Sequence, residues 1–99
     1  MNQFELTNKV AIVTGGGGTS HGIGAVVAIT LAKAGARVVV VGRNRNSLDK
    51  VVKMIKGMGR DVVSIVADVT DPSQVDRLIL QASDVFGSID ILVNNAGEI

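Results

Sequence analysis

Apolar residues fall along this chain in two alternating rhythms. Val10-Ala11-Ile12-Val13-Thr14 is an unbroken, mostly β-branched run closed by glycines, which predicts a buried strand. From Gly22 the spacing lengthens. Ile23, Val26, Val27, Thr30, Leu31 and Ala34 recur at helical intervals, and Gly35 supplies the stop. Arg37 to Val41 then carries four consecutive valines, a second strand with both faces covered.

The same alternation continues to the end. A second helix, capped by Asn46 or Ser47, places Leu48, Val51, Val52, Ile55 and Met58 on one side and Lys50, Lys53 and Lys56 on the other, with Gly59 ending it. Val62 to Ala67 reads as a third strand. Asp71-Pro72-Ser73-Gln74 opens a third helix, with Asp71 as N-cap, Pro72 in the first helical position and Gln74 closing a variant of the capping box. That helix runs through Val75, Leu78, Ile79, Ala82, Val85 and Phe86 to Gly87, and Ile89 to Asn94 is the fourth strand. Strand and helix in strict alternation predict an α/β fold: a parallel, doubly wound sheet with right-handed crossovers and strand order 3-2-1-4. Two helices then cover one face and one the other. Ile91-Leu92-Val93 becomes an apolar edge, of the kind that invites a second chain to pair with it.

Composition narrows the function classes. Ninety-nine residues form one domain, which buries roughly two-thirds of its unfolded surface. At 46% hydrophobic but 2% aromatic, the core has to be built from aliphatic side chains. A net charge of +1 and few stacking rings argue against nucleic acid as a partner. No cysteine means no disulfide and no thiolate metal site, and a reducing cytoplasmic setting is compatible with that. Met1 to Glu5 carries no basic leader, and no apolar run approaches the ~18 residues of a membrane span, so neither a signal peptide nor a membrane partner is expected.

Candidate chemistry begins in the turn after the first strand, Thr14-Gly15-Gly16-Gly17-Gly18-Thr19-Ser20-His21-Gly22-Ile23-Gly24. Glycines there let backbone approach a phosphate, and the following helix N-terminus offers free N–H groups and partial positive charge. The generic G-x-G-x-x-G fingerprint occurs in no register. The turn instead resembles the T-G-x-x-x-G-x-G turn of the short-chain dehydrogenase/reductase family, Thr14-Gly15 giving its start and Gly22-Ile23-Gly24 its end. Six residues lie between Gly15 and Gly22 where the family has three. The enlarged loop either bulges outward or spoils the phosphate cradle. Val41-Gly42-Arg43-Asn44, Asp68-Val69 and the N-N-A-G run Asn94-Asn95-Ala96-Gly97 extend the resemblance along nearly the whole chain.

The resemblance implies a partial Rossmann fold that holds a dinucleotide, residues 1–99 being the NADP-binding half without the catalytic half. Gly15, Ser20, His21, Gly22, Ile23 and Gly24 would form the pyrophosphate turn. Gly42 stands where a carboxylate would select NAD, and Arg43 follows it. A guanidinium there suits a 2′-phosphate, so NADP is expected over NAD; the plainer reading of Arg43 is a solvated charge opening a loop. Arg45 and His21 would add positive field. By resemblance Asp68 meets the adenine amino group and Val69 packs beside the ring, although an Asp after a strand also orders its own turn. Both asparagines can tie down loop backbone, and that structural duty is expected first; for cofactor contact beside the ribose, which comes second, Asn95 is favoured and Asn94 is the more structural of the pair. His21, the one histidine, has no partner base or nucleophile, so no metal and no catalytic residue is assigned.

In that family the proton is moved by a Tyr assisted by a Lys and a Ser, all following N-N-A-G, and this chain contains no tyrosine. Three readings follow. One is a truncated oxidoreductase portion that keeps affinity for the adenosine end of NADP(H) without turnover. Another is a non-catalytic module that self-associates as a homo-oligomer through the fourth-strand edge. The third is a piece of a longer NADP-linked enzyme.

Overall fold

The computed structural model describes residues 6–15 and 23–94. Seven elements follow one another: β1 (Val10–Thr14), α1 (Ile23–Lys33), β2 (Arg37–Gly42), α2 (Arg45–Gly57), β3 (Val62–Val66), α3 (Pro72–Phe86) and β4 (Ile91–Asn94). The strands form one sheet in the order β3-β2-β1-β4, and every neighbouring pair is parallel. This is the predicted doubly wound, Rossmann-like arrangement.

Helices α1 and α2 pack on one face with Ala11, Val13, Val38 and Val40, while α3 covers Ile12, Val39 and Val41 on the other. Successive side chains of β1 and β2 therefore enter opposite cores, which is why those strands read as unbroken apolar runs rather than alternating ones.

Several boundaries differ from expectation for identifiable reasons. Helix α2 is capped by Asn44, not by Asn46 or Ser47. The Asn44 backbone is extended, and its side-chain oxygen accepts the Ser47 N–H at 3.1 Å. Ser47 is thus the residue that is capped. The α1 contact face also differs. It buries Ala25, Ala28 and Ala32, whereas Val26 is 53% exposed, because small side chains let a helix approach a sheet closely. Strand β4 starts at Ile91 rather than Ile89. Just before it, Asp90 exchanges two bonds with Val10: its N–H donates to the Val10 carbonyl, and its carboxylate accepts the Val10 N–H. Asp71 caps α3 as expected, accepting the Ser73 N–H at 3.0 Å, but Gln74 does not return to the Asp71 N–H. Its amide nitrogen donates to the Asp71 carboxylate, and its oxygen accepts the Asp68 N–H at 2.7 Å.

The amino ends of the strands are held by interactions of a structural kind. Besides the Asp90–Val10 pair, Arg37 lies 3.6 Å from Asp61 and over the Phe86 ring at 5.9 Å. The carboxyl ends carry a different set of residues.

Candidate functional site

Parallel pairing brings the carboxyl ends of all four strands to one end of the sheet, and each end delivers a residue singled out in the sequence. At β1 the chain leaves through Gly15, whose φ of 75° is left-handed and whose N–H donates to the Val41 carbonyl at 2.8 Å. A side chain would strain that turn. Gly24 lies buried in the first turn of α1, and no acidic residue occupies that turn. The positive end of α1 therefore has no carboxylate of its own helix beside it. Ile23 opens the helix, whereas Ser20, His21 and Gly22, with the rest of the enlarged loop, lie outside the described residues.

At β2, Gly42 ends the strand and its carbonyl accepts the Ala67 N–H at 2.9 Å. Arg43 follows, exposed, with no hydrogen bond or ion pair among the described residues. Arg45 does not join it as a second open charge. Its Nη1 donates to the Ser64 hydroxyl at 2.8 Å and lies 3.8 Å from Asp49.

At β3, Asp68 orders its own turn. One carboxylate oxygen, Oδ1, accepts the Thr70 N–H at 2.9 Å and the Thr70 hydroxyl at 2.6 Å. Those two bonds hold the Asp68 carboxyl below the ordinary aspartate value of 3.8, and the nearby Arg43 charge adds a smaller pull in the same direction. The turn-ordering role foreseen for Asp68 is thus present. Its second oxygen accepts no hydrogen bond among the described residues.

At β4, Asn94 is tied to β1. The Thr14 hydroxyl lies 3.0 Å from Asn94 Oδ1 and 3.3 Å from the Val93 carbonyl, so one donor is shared between two acceptors. This is the structural duty expected of Asn94; Asn95 lies outside the described residues. Thr14 itself was legible only as a letter of the glycine-turn motif. A threonine closing an otherwise apolar, fully buried strand was the available signal. Between β1, β4 and α3 opens a cavity of about 300 Å³, with Ile12, Leu78 and Leu92 in its wall and Thr14, Val69, Thr70 and Asn94 among its lining. That volume is at the lower end for small-molecule pockets.

The donor set fits a dinucleotide. It offers a glycine in left-handed backbone, a helix N-terminus without its own acid, an unpaired guanidinium and an open apolar recess, and no carboxylate ends β2. Among the described residues no group of three or more His, Cys, Asp or Glu could hold a metal ion, and no helix is long and apolar enough to cross a membrane.

Known proteins share this arrangement. Versicolorin reductase of Emericella nidulans is 46% identical over 97 residues, which cover 97% of this chain and 36% of that protein. A citronellol catabolism dehydrogenase of Pseudomonas aeruginosa superposes with a TM-score of 0.91 at 35% identity, covering 100% of this chain and 40% of that one. A metagenomic short-chain oxidoreductase, solved in complex with NADP, gives 0.87 at 34% identity over 95% of this chain and 41% of that one. The chain thus spans little more than a third of the length of the curated reductase it matches. The family described as short chain dehydrogenase matches residues 9–99, and with the sheet order in agreement the chain belongs to that family.

Proposed function

We propose that this chain is the NADP(H)-binding portion of a short-chain oxidoreductase, gripping the adenosine end of the cofactor. The observation that carries the reading is the convergence of Gly15, Arg43, Asp68, Val69 and Asn94 at the carboxyl ends of neighbouring parallel strands. Ligands of open parallel sheets bind at those ends, where the strand order reverses. Here the reversal falls between β1 and β4.

Each residue has a definable task. Ser20, His21, Gly22, Ile23 and Gly24 complete the pyrophosphate turn begun by Gly15. Arg43 takes the 2′-phosphate, because no carboxylate at Gly42 repels it and no hydrogen bond or ion pair among the described residues engages the guanidinium. The open oxygen of Asp68 accepts from the adenine amino group while Thr70 fixes the carboxylate, Val69 packs against the ring, and Asn95 meets the ribose. The complex of a related oxidoreductase with NADP supports this choice of cofactor.

When bound, the nicotinamide supplies hydride transfer to or from a carbonyl or alcohol. This chain by itself binds without turnover, since it has no tyrosine to move the accompanying proton. A cytoplasmic setting suits a chain without cysteine. Calorimetric titration of the folded chain tests the proposal. Heat is expected with NADPH and with 2′,5′-ADP, and weaker binding with NADH. A folded chain that gives no heat with either 2′-phosphorylated ligand would overturn it.

A further inference from the structure

Strand β3 is an outer edge of the sheet. The Val38 N–H donates to the Asp61 carbonyl and the Ala67 N–H to the Gly42 carbonyl, so residues 61, 63, 65 and 67 turn their backbone groups toward β2. Strand alternation then points the N–H and C=O of Val62, Ser64 and Val66 outward. The edge has no proline, no lysine and no break in register to discourage pairing. Beside it, between β3 and α3, runs a groove. One cavity of about 460 Å³ reaches Val63, Gln81 and Asp84, and a second of about 320 Å³ reaches Ala67, Gln81 and Arg77.

The order of charges along this groove selects the occupant. Arg77 stands at the carboxyl end of β3, Asp84 lines the cavity toward its amino end together with Arg45, whose charge is already met by Asp49, and Gln81 lines both cavities between them. Such a groove is complementary to itself when inverted. A two-fold axis through Ser64 sets Val62 against Val66 of a second copy and Ser64 against Ser64. The same axis carries Arg77 to Asp84 of the other copy and brings the two Gln81 amides together. We propose that this edge is a two-fold interface between two copies of the chain, joined through antiparallel β3 strands. Outward groups at Val62, Ser64 and Val66 would form about six main-chain hydrogen bonds across it. Val66 and Val85, exposed at 45% and 54%, would be covered.

The β4 edge fits less well. Among the described residues, the cavity beside it is lined by no charged residue that would fix direction or register. At the β3 edge one feature opposes association. The axis brings together two Arg45 side chains, each held by Ser64 and by Asp49, and like charges so placed repel.

Sedimentation velocity across the micromolar range tests the interface, with circular dichroism reporting that each variant is folded. A monomer–dimer equilibrium is expected. Arg77→Asp and Asp84→Arg should each weaken it about tenfold or more, the double exchange should restore it, and Arg45→Ala should strengthen it. A chain that stays monomeric throughout overturns the proposal. So does a dimer indifferent to both single exchanges, or one abolished by Leu92→Lys on the β4 edge instead.

Discussion

Arg43 and Gly35 show how differently single residues act in this chain. Arg43 is exposed and unpaired among the described residues, so little of the fold depends on it, and its substitution reports on ligand. A guanidinium on a phosphate forms charge-assisted bonds of about 1.5–3 kcal/mol each. Arg43→Asp is therefore expected to weaken NADPH at least about tenfold while leaving NADH much less affected. Equal loss for both cofactors in a calorimetric comparison would count against the 2′-phosphate assignment. Gly35 is the reverse case, distant from ligand and bound to the fold. Its φ is 101°, and an added Cβ would lie 2.9 Å from the Thr7 hydroxyl oxygen and 3.1 Å from the Thr7 nitrogen. Gly35→Ala should cost more than about 1 kcal/mol in urea unfolding; an unchanged midpoint would show that the turn relaxes freely. Thr14 was harder to foresee. Its bond to Asn94 joins positions 80 apart, and no local pattern encodes a contact of that kind.

At the level of elements, the strands were legible because each core-facing run is continuous and short. The helix faces and ends were less so. Val26 and Ala25 both count as apolar, and only packing against the sheet decides that the alanines go inward. Asn44, Asn46 and Ser47 are all good caps, and the end of β2 decided among them by leaving Asn44 in extended backbone. Asn44→Ala should lower stability by about 1 kcal/mol, measured by chemical denaturation, whereas Asn46→Ala should not. The turn into α3 adds a pH dependence. Asp68 and Asp71 are both held below 3.8, the first chiefly by the Thr70 hydroxyl and amide, the second chiefly by the Ser73 hydroxyl. A carboxyl depressed in the folded state stabilises fully above its unfolded value, and that contribution fades as pH falls through the folded value. Thermal midpoints should therefore drop on acidification below about pH 4, and the Asp68→Asn, Asp71→Asn double variant should flatten that drop. An acid limb identical to the parent's would place its origin elsewhere.

For the whole molecule, strand order and helix layering followed from alternation and from the right-handed crossover, and the sheet divides its labour by end. Bonds at the amino ends join β1 to the start of β4, β2 to the approach to β3, and β2 to α3. The carboxyl ends assemble residues that are far apart in sequence, each unremarkable alone. That convergence was visible beforehand only because parallel strands must end together. Residues of the enlarged glycine loop and Asn95 fall outside the described positions, so their part in the site rests on the proposal. The most direct test of one shared adenosine site is amide chemical-shift mapping of the isotopically labelled chain during titration with 2′,5′-ADP. Saturable shifts should concentrate at Gly15, Gly24, Arg43, Asp68, Val69 and Asn94, with Asp61, Phe86 and Asp90 at the opposite end unmoved. A folded chain whose shifts cluster at that opposite end, or do not move at all, would contradict it.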